Sequence, residues 1–287
     1  MIGELVFFDG QLVSRAEARI PIDDRTVLYG DGVFETIRAY RGVPFRLDRH
    51  LKRLERGCRM LRLDSAVQTG DIAATVAELL HVNRLEEVDA VVRMTVTGGR
   101  SCGPTGLDRA GRSRLLITAT SHEHRPQRSR SGIRLDISSI RRDPSSPLAG
   151  IKSTSFMNSL LAKQAAKDAG ADDAVMLTPG GHVSEATSSN IFWVAAGVLF
   201  TPDVGCGLLP GVTREAVIEI ATGERVECRL VTSGIEELLG ADEVFVTNSL
   251  VEIAPVSAVA GRTFAVPGPV TVLLGNRYGD LVRTLSH

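Results

Sequence analysis

Lysine is scarce in this chain. Of 33 basic residues only Lys52, Lys152, Lys163 and Lys167 are lysines. Arginine cannot condense with an aldehyde, so any imine chemistry has these four amines to draw on. Lys163 and Lys167 stand four apart in the polar helical stretch Lys-Gln-Ala-Ala-Lys and are expected to be solvated. Lys52 lies among Arg49, Arg53 and Arg56 on the polar side of a predicted helix and reads the same way. Lys152 differs. It sits in Leu148-Ala149-Gly150-Ile151-Lys152-Ser153-Thr154-Ser155, after a Pro-Ser-Ser-Pro turn and just before a helix. An apolar neighbour and small flexible residues allow such an amine to be desolvated, which favours its neutral, nucleophilic form. The plain alternative is an ordinary loop lysine.

Three further stretches carry usable groups. Gly207-Leu208-Leu209-Pro210-Gly211-Val212-Thr213-Arg214-Glu215 leads into the helical run Ala216, Val217, Ile218, Ile220 and Ala221. Backbone N–H groups, the positive end of the helix dipole and a hydroxyl at such a start make a phosphate cradle, or else Thr213 is simply the N-cap. Gly181 to Asn190 reads as a polar loop feeding the apolar strand Ile191-Phe192-Trp193-Val194. Its Glu185 is either solvated or able to pair with a protonated pyridine nitrogen, keeping such a ring cationic as an electron sink. Thr247-Asn248-Ser249-Leu250 follows the strand Asp242-Glu243-Val244-Phe245-Val246 and offers hydroxyl and amide groups at a strand end. The order runs lysine, about 33 residues to the glutamate, about 28 to the Gly-Val-Thr step and about 36 to the Asn-Ser step.

The elements that must position these groups follow from pattern. Leu5-Val6-Phe7-Phe8, Asp9-Gly10 and Gln11-Leu12-Val13 predict a hairpin with a tight turn. Val33 to Tyr40 is rich in β-formers and ends at Arg41-Gly42. Leu51, Leu54, Cys58 and Leu61 recur at helical spacing between Asp48 and Leu63, and a second helix is predicted from Asp71 to Val82. Further strands are expected at Ala90–Thr97 and Arg114–Thr120, and near 133–140, 174–178, 190–195 and 243–247. Helices are expected near 155–169 and 213–221. The aperiodic polar run from Ser121 to Arg130 suggests a linker, giving a smaller N-terminal α+β domain over 1–120, a linker over 121–131 and a larger domain over 132–287 that carries Lys152. Ligands commonly settle in clefts between such domains.

Composition narrows the function classes. With 43% hydrophobic and 23% charged residues and a formal net charge of -1, the chain fits a globular protein without a field favouring nucleic acid or an anionic membrane. No apolar run approaches the ~18–20 residues that span a bilayer. The opening Met1-Ile2-Gly3-Glu4-Leu5 lacks a basic-then-apolar signal, and Cys58, Cys102, Cys206 and Cys228 form no CxxC pair. A cytoplasmic location with reduced thiols is the expectation.

Taken together, the motifs resemble those of class IV aminotransferases of fold type IV along nearly the whole chain. The matching stretches are Tyr29-Gly30-Asp31-Gly32-Val33-Phe34-Glu35, His50-Leu51-Lys52-Arg53-Leu54, Lys152 with Asn158-Ser159-Leu160-Leu161-Ala162-Lys163, Val183-Ser184-Glu185 through Asn190-Ile191-Phe192, Leu208 through Arg214, and Ala241-Asp242-Glu243-Val244-Phe245. The resemblance implies a two-domain α+β enzyme with pyridoxal 5'-phosphate held between the domains. It implies that Lys152 forms the covalent link to the cofactor and shuttles the substrate's α-proton, that Glu185 pairs with the ring nitrogen, and that Arg53, Val212, Thr213 and Ser249 hold the phosphate. Leu209 would pack on the ring and Ser188 would lie beside the cofactor. Tyr29, Phe34, Arg38, Arg93 and Leu250 are the substrate-side positions, Thr36 a candidate catalytic one, and a homodimer is implied.

The family divides over the reaction. Arg38 and Arg93 match branched-chain aminotransferases, but those usually have glycine where Thr36 stands, and a tyrosine shortly after the lysine where this chain has Phe156 and Met157. The Arg-x-His pair of the best-known D-amino-acid aminotransferases is missing from Ser101-Cys102-Gly103-Pro104-Thr105, although Arg100 is nearby. Thr36 and the Asn248-Ser249 step resemble aminodeoxychorismate lyases, which release pyruvate and leave 4-aminobenzoate. Transamination between an amino acid, or related primary amine, and a 2-oxo acid ranks first, with the lyase as rival and a non-catalytic binder of the cofactor behind both. A dinucleotide site at Gly30-x-Gly32 lacks the third glycine and the βαβ frame. Metal binding at His122-x-His124 offers two ligands without a third.

Overall fold

The computed structural model describes residues 4–63, 71–103, 105–123 and 131–284. Two compact units account for them: the first holds residues up to 123 together with Ile151–Phe156, the second holds 131–150 and 157–284. This differs from the expected domain split in one respect that matters. The segment carrying Lys152 groups with the first unit, because it extends the free edge of a strand there: Val33 bridges Ser153, and the Phe34 N–H donates to the Lys152 carbonyl at 2.9 Å. The predicted linker lies mostly at 124–130, outside the described residues, as does His124.

The first unit is built on a six-stranded antiparallel sheet. Its strands are β1 (Leu5–Phe8), β2 (Gln11–Ser14), β3 (Gly32–Tyr40), β4 (Val43–Pro44), β5 (Ala90–Thr97) and β8 (Leu115–Ser121), in the order β2-β1-β8-β5-β3-β4. A separate hairpin pairs β6 (Arg100–Cys102) with β7 (Asp108–Ala110). The predicted opening hairpin is present, turned at Asp9 and Gly10 with φ of 53° and 98°, the left-handed geometry of a two-residue turn. Strand alternation sorts β3 into two sets. Val33, Ile37 and Ala39 enter the core with Val92, Met94, Val96 and Ile117. Phe34, Thr36 and Arg38 take the opposite face.

Two helices contribute to that core. Helix α2 (Leu47–Met60) is shorter than the predicted run to Leu63, since Arg62 adopts φ 52° and breaks the helix. Helix α3 (Ile72–Val82) starts where the pattern places it, with the Asp71 carboxylate capping Ala73 and Ala74 N–H at 2.9 and 3.2 Å. A five-residue helix α1 (Arg25–Tyr29), too short for periodicity to reveal, precedes β3.

The second unit holds a nine-stranded mixed sheet. Eight strands lie in the order β11-β10-β9-β16-β15-β12-β13-β14, and β17 (Arg262–Thr263) pairs with β16. Their ranges are β9 Ile133–Ile137, β10 Asp173–Leu177, β11 Val183–Ala186, β12 Asn190–Ala195, β13 Val198–Pro202, β14 Cys228–Val231, β15 Glu243–Asn248 and β16 Glu252–Val259. One face buries Val175, Val183, Ile191, Trp193, Val244, Val246 and Val256, with Leu238 of helix α6 (Ile235–Leu239) packed on them. On the other face Phe192 and Phe245 stack at 5.0 Å, and helices α5 (Val212–Gly223) and α7 (Pro269–Thr284) pack there. The buried Glu243 side chain accepts from the Val270 and Thr271 N–H groups at 3.0 and 2.8 Å, capping α7 from a neighbouring strand. Helix α4 (Met157–Asp168) carries Lys163, which is half-buried and paired with Asp173 at 3.2 Å rather than simply solvated.

Two local expectations change. The polar stretch around Glu185 is not all loop: Val183–Ala186 form β11, every residue of it buried. Gly211, not Thr213, is the N-cap of α5. None of the four cysteines is in a disulfide, and no helix among the described residues is long and apolar enough to cross a membrane.

Candidate active site

Within the first unit the edge of β3 positions Lys152. The Lys152 carbonyl accepts from Phe34 N–H at 2.9 Å and Thr154 N–H donates to the Gly32 carbonyl at 2.8 Å, so the backbone on both sides of the lysine is fixed. Its Nζ lies 4.6 Å from the centre of the Phe34 ring. The Arg93 guanidinium lies 4.0 Å from the same ring, and Phe156 meets it edge-on at 6.0 Å. Strand register sets Thr36 directly opposite Arg93, and Arg93 opposite Thr118 on β8. Lys152, Phe34, Thr36 and Arg93 are thus assembled around one aromatic ring, with the Lys152 amine and the Arg93 guanidinium both over it. Arg38 stands on the same face of β3 but is buried, ion-paired to Asp89 at 2.6 Å and stacked over Tyr40 at 4.8 Å. Tyr29 ends α1 with Arg25 over its ring at 5.4 Å.

Beneath this face a buried charge cluster holds Arg53. Glu35, fully buried, accepts from Arg53 Nε at 2.7 Å on one oxygen and from an Arg53 terminal nitrogen at 2.7 Å on the other, while His50 Nδ1 lies 2.8 Å from it. Burial pushes the Glu35 carboxyl up, but hydrogen bonds from Arg53 and His50 and their charges outweigh it and bring the pKa down to about 2. Burial pushes His50 the other way, below its ordinary value, despite the pull of Glu35. Helical spacing alone assigned Arg53 to a solvated face; the resemblance singled it out, and a buried partner explains why.

In the second unit, β11 and the turn before α5 organise the remaining candidates. Glu185 is buried on β11; one oxygen meets Arg142 at 3.0 Å and the other accepts from Leu209 N–H at 3.0 Å. Asn190 donates to the Leu209 carbonyl at 2.8 Å and reaches the same Glu185 oxygen at 3.4 Å. A Cβ on Gly211 would fall 2.0 Å from Asn190 Oδ1, so any side chain there must displace the Asn190 amide. The N-cap of α5, Gly211, carries no side chain to cap the helix, and Val212 and Thr213 open its first turn, where backbone amides are suited to an anion. Arg214 points inward, donating to Thr201 Oγ1 at 3.3 Å and the Pro202 carbonyl at 2.8 Å, which bolts the first turn of α5 to β13. Asn248 orders the strand end. Its Oδ1 accepts from Leu250 and Val251 N–H at 2.8 and 2.9 Å, and its Nδ2 donates to Ser189 Oγ at 2.8 Å and the Ser188 carbonyl at 3.2 Å, linking the turns that hold Ser249 and Ser188.

Sequence reasoning missed Glu35 and His50 as partners of Arg53, and Arg142 and Asn190 as partners of Glu185. A polar residue inside the β3 pattern, Glu35 among Val33, Ile37 and Ala39, was the available signal for the first pair. Among the described residues no cluster of three or more His, Cys, Asp or Glu could hold a metal. Gly30 and Gly32 serve close packing against Ser155 and Thr154 rather than a dinucleotide turn.

This is the α+β fold of type IV enzymes. A branched-chain aminotransferase from Thermoproteus uzoniensis, solved with norvaline, superposes with a TM-score of 0.89 at 32% identity, over 98% of this chain and 95% of that one. The chain belongs to the amino-transferase class IV family, whose sequence profile matches residues 32–259. A Methanocaldococcus jannaschii protein, provisionally named a branched-chain-amino-acid aminotransferase, is 37% identical over 279 residues, covering 96% of each chain. The D-alanine aminotransferase of Bacillus licheniformis is 32% identical over 93% of each chain. The aminodeoxychorismate lyase of Bacillus subtilis is 29% identical over 99% of this chain and 96% of its own.

Proposed function

We propose that this protein is a pyridoxal 5'-phosphate-dependent aminotransferase moving an amino group between an amino acid, or related primary amine, and a 2-oxo acid. The observation that carries the reading is Lys152, held by its backbone on both sides with its amine over Phe34 beside Arg93. The residues present suit the cofactor. A helix start with a glycine N-cap, where a Cβ would displace Asn190, fits a phosphate, and a buried carboxylate fits a ring N–H. When bound, the cofactor supplies an aldehyde that captures amines and a ring that delocalises the electrons of a carbanion.

The protein's part is then positional and acid–base. Lys152 Nζ takes the proton from the substrate's α-carbon and returns one during transfer. Glu185 accepts a hydrogen bond from the ring nitrogen and keeps it protonated. Val212 and Thr213 amides, with Arg53 and Ser249, hold the phosphate, and Leu209 and Ser188 flank the cofactor. Arg93 takes the substrate carboxylate, and Phe34 walls the site with Tyr29 and Leu250; Arg38, tied to Asp89, lies further along the same face of β3. A homodimer in the reducing cytoplasm goes with the proposal. The exposed apolar side chains Ile22, Val27, Leu28 and Leu107 in the first unit support burial against a second copy.

Aminodeoxychorismate lyase is the second reading, favoured by Thr36, whose register opposite Arg93 sets a hydroxyl beside the carboxylate site. A donor panel of L-branched-chain and D-amino acids, (R)-amines and aminodeoxychorismate, followed by the visible spectrum of the holoenzyme, tests both. Spectral turnover with a simple amino donor is expected. Pyruvate release from aminodeoxychorismate with no response to other donors would overturn transamination in favour of the lyase. Thr36→Gly separates the two further: it should abolish any lyase activity and spare transfer, and equal loss of both would remove Thr36 from the chemistry.

Gly211→Ala tests the cradle. The added methyl must displace Asn190 from Leu209, a strain of about 1–3 kcal/mol, and cofactor affinity should fall roughly tenfold or more in a fluorescence titration. Unchanged affinity would show that the phosphate lies elsewhere.

A further inference from the structure

We propose that Arg142 is a positioning residue whose charge keeps Glu185 an acceptor, so that the shared proton stays on the cofactor's ring nitrogen. This rests on the cofactor reading above and adds a residue to it that neither the spacing of the motifs nor the resemblance singled out.

The geometry is specific. Arg142 is largely buried, and its backbone N–H donates to the Leu177 carbonyl at 2.8 Å, which fixes its origin at the end of β10. One terminal guanidinium nitrogen reaches Glu185 Oε1 at 3.0 Å while Nε donates to the Gly207 carbonyl at 3.0 Å. The planar fork therefore spans from the strand bearing Glu185 to the loop that two residues later supplies Leu209 N–H to the other Glu185 oxygen. That loop passes close to the arginine's own segment: a Cβ on Gly207 would fall 2.9 Å from Pro144 Cα. Arg142, Leu209 N–H and Asn190 Nδ2 are all donors, and an ionised carboxylate is an acceptor only. All three contacts therefore favour the ionised, accepting form of Glu185.

The consequence concerns where a proton rests. A buried carboxylate next to a ring nitrogen competes with it for one proton. Without a nearby cation, desolvation favours the neutral carboxylic acid, which would donate to a neutral ring. The Arg142 charge stabilises the carboxylate instead and leaves the proton on nitrogen, the form in which the ring draws electrons most strongly. Lysine would supply the charge from a single nitrogen in place of the planar fork.

The test is the nitrogen-15 resonance of ring-labelled pyridoxal 5'-phosphate in the holoenzyme, with borohydride trapping at Lys152 confirming attachment in each protein. The parent and Arg142→Lys should give a resonance in the protonated-pyridine range. Arg142→Met should move it most of the way to the neutral position, and Arg142→Gln, which keeps hydrogen-bonding capacity and disturbs packing less, should do the same. A protonated resonance in Arg142→Met or Arg142→Gln would overturn the proposal, as would Arg142→Lys shifting as far as the neutral variants, since charge would then not be the cause. Absence of the trapped label at Lys152 in the parent would instead refute the cofactor reading itself.

Discussion

Replacing Lys152 by alanine or by arginine should reduce amino transfer about 10⁴-fold or more and remove the borohydride-trapped label from its peptide. The alanine variant removes the amine. The arginine variant is the sharper probe, because it keeps a cation over Phe34 yet cannot condense with an aldehyde. Neither change should harm the fold much, since the local backbone is held by main-chain bonds between Lys152, Thr154 and β3 that both side chains leave intact. The other lysines offer no substitute. Lys163 is paired with Asp173 at 3.2 Å, and Lys52 is an exposed helix-surface residue 4.0 Å from Asp48. Turnover persisting in Lys152→Arg, or a label on another lysine, would end the assignment.

What the sequence revealed, and what it hid, follows from how each group is satisfied. Helix α3 was legible because its apolar periodicity and its Asp71 cap agree, and β5 because apolar and polar residues alternate from Val92 to Thr97. Strand β11 was hidden because Val-Ser-Glu-Ala reads as polar while all four residues are buried, the polar ones by design of the site. Pro255 disguises β16, where proline is unexpected inside a strand, and Gly275 and Gly279 interrupt the pattern of α7 although Thr271, Leu274 and Tyr278 form its buried stripe.

The candidate site shows the same division. Residue types told which groups could do chemistry: a lysine unlike the other three, a glycine before a helix, a glutamate before an apolar strand. They did not tell which groups hold these in place, because Arg142 and Glu185 are 43 positions apart and Glu35 and Arg53 are 18 apart. Such pairings appear only when strands and helices are brought together. For the same reason Arg38, equal to Arg93 on pattern, proves to be committed to Asp89 while Arg93 faces the aromatic platform beside Lys152.

The pairing with the largest expected effect on stability is that of Glu35. Its carboxylate compensates Arg53 and is bonded to His50, so Glu35→Ala leaves a buried guanidinium without its counter-ion and should cost about 3–5 kcal/mol. The pH dependence identifies the cause. The folded-state pKa of Glu35 lies at about 2, below the 4.5 of the free group. A depressed carboxylate contributes stability that is present above the unfolded pKa and lost as pH falls through the folded one. The loss should therefore occupy the interval from about pH 5 down to 2 and amount to about 3 kcal/mol. His50 acts in the same direction over a higher interval: its imidazole is held neutral below its ordinary value, so its share is present above about pH 6.5 and fades as acid protonates the unfolded chain. Glu35→Gln keeps the shape and removes the charge. The stability gap between parent and Glu35→Gln, measured by denaturant unfolding across pH 2–8, should be at full width above about pH 5 and close toward pH 2. No gap at all, or one that stays constant down to pH 2, would mean that the ionisation of Glu35 is not what makes it matter. Arg53 would then owe its position to packing of α2 rather than to the carboxylate it grips.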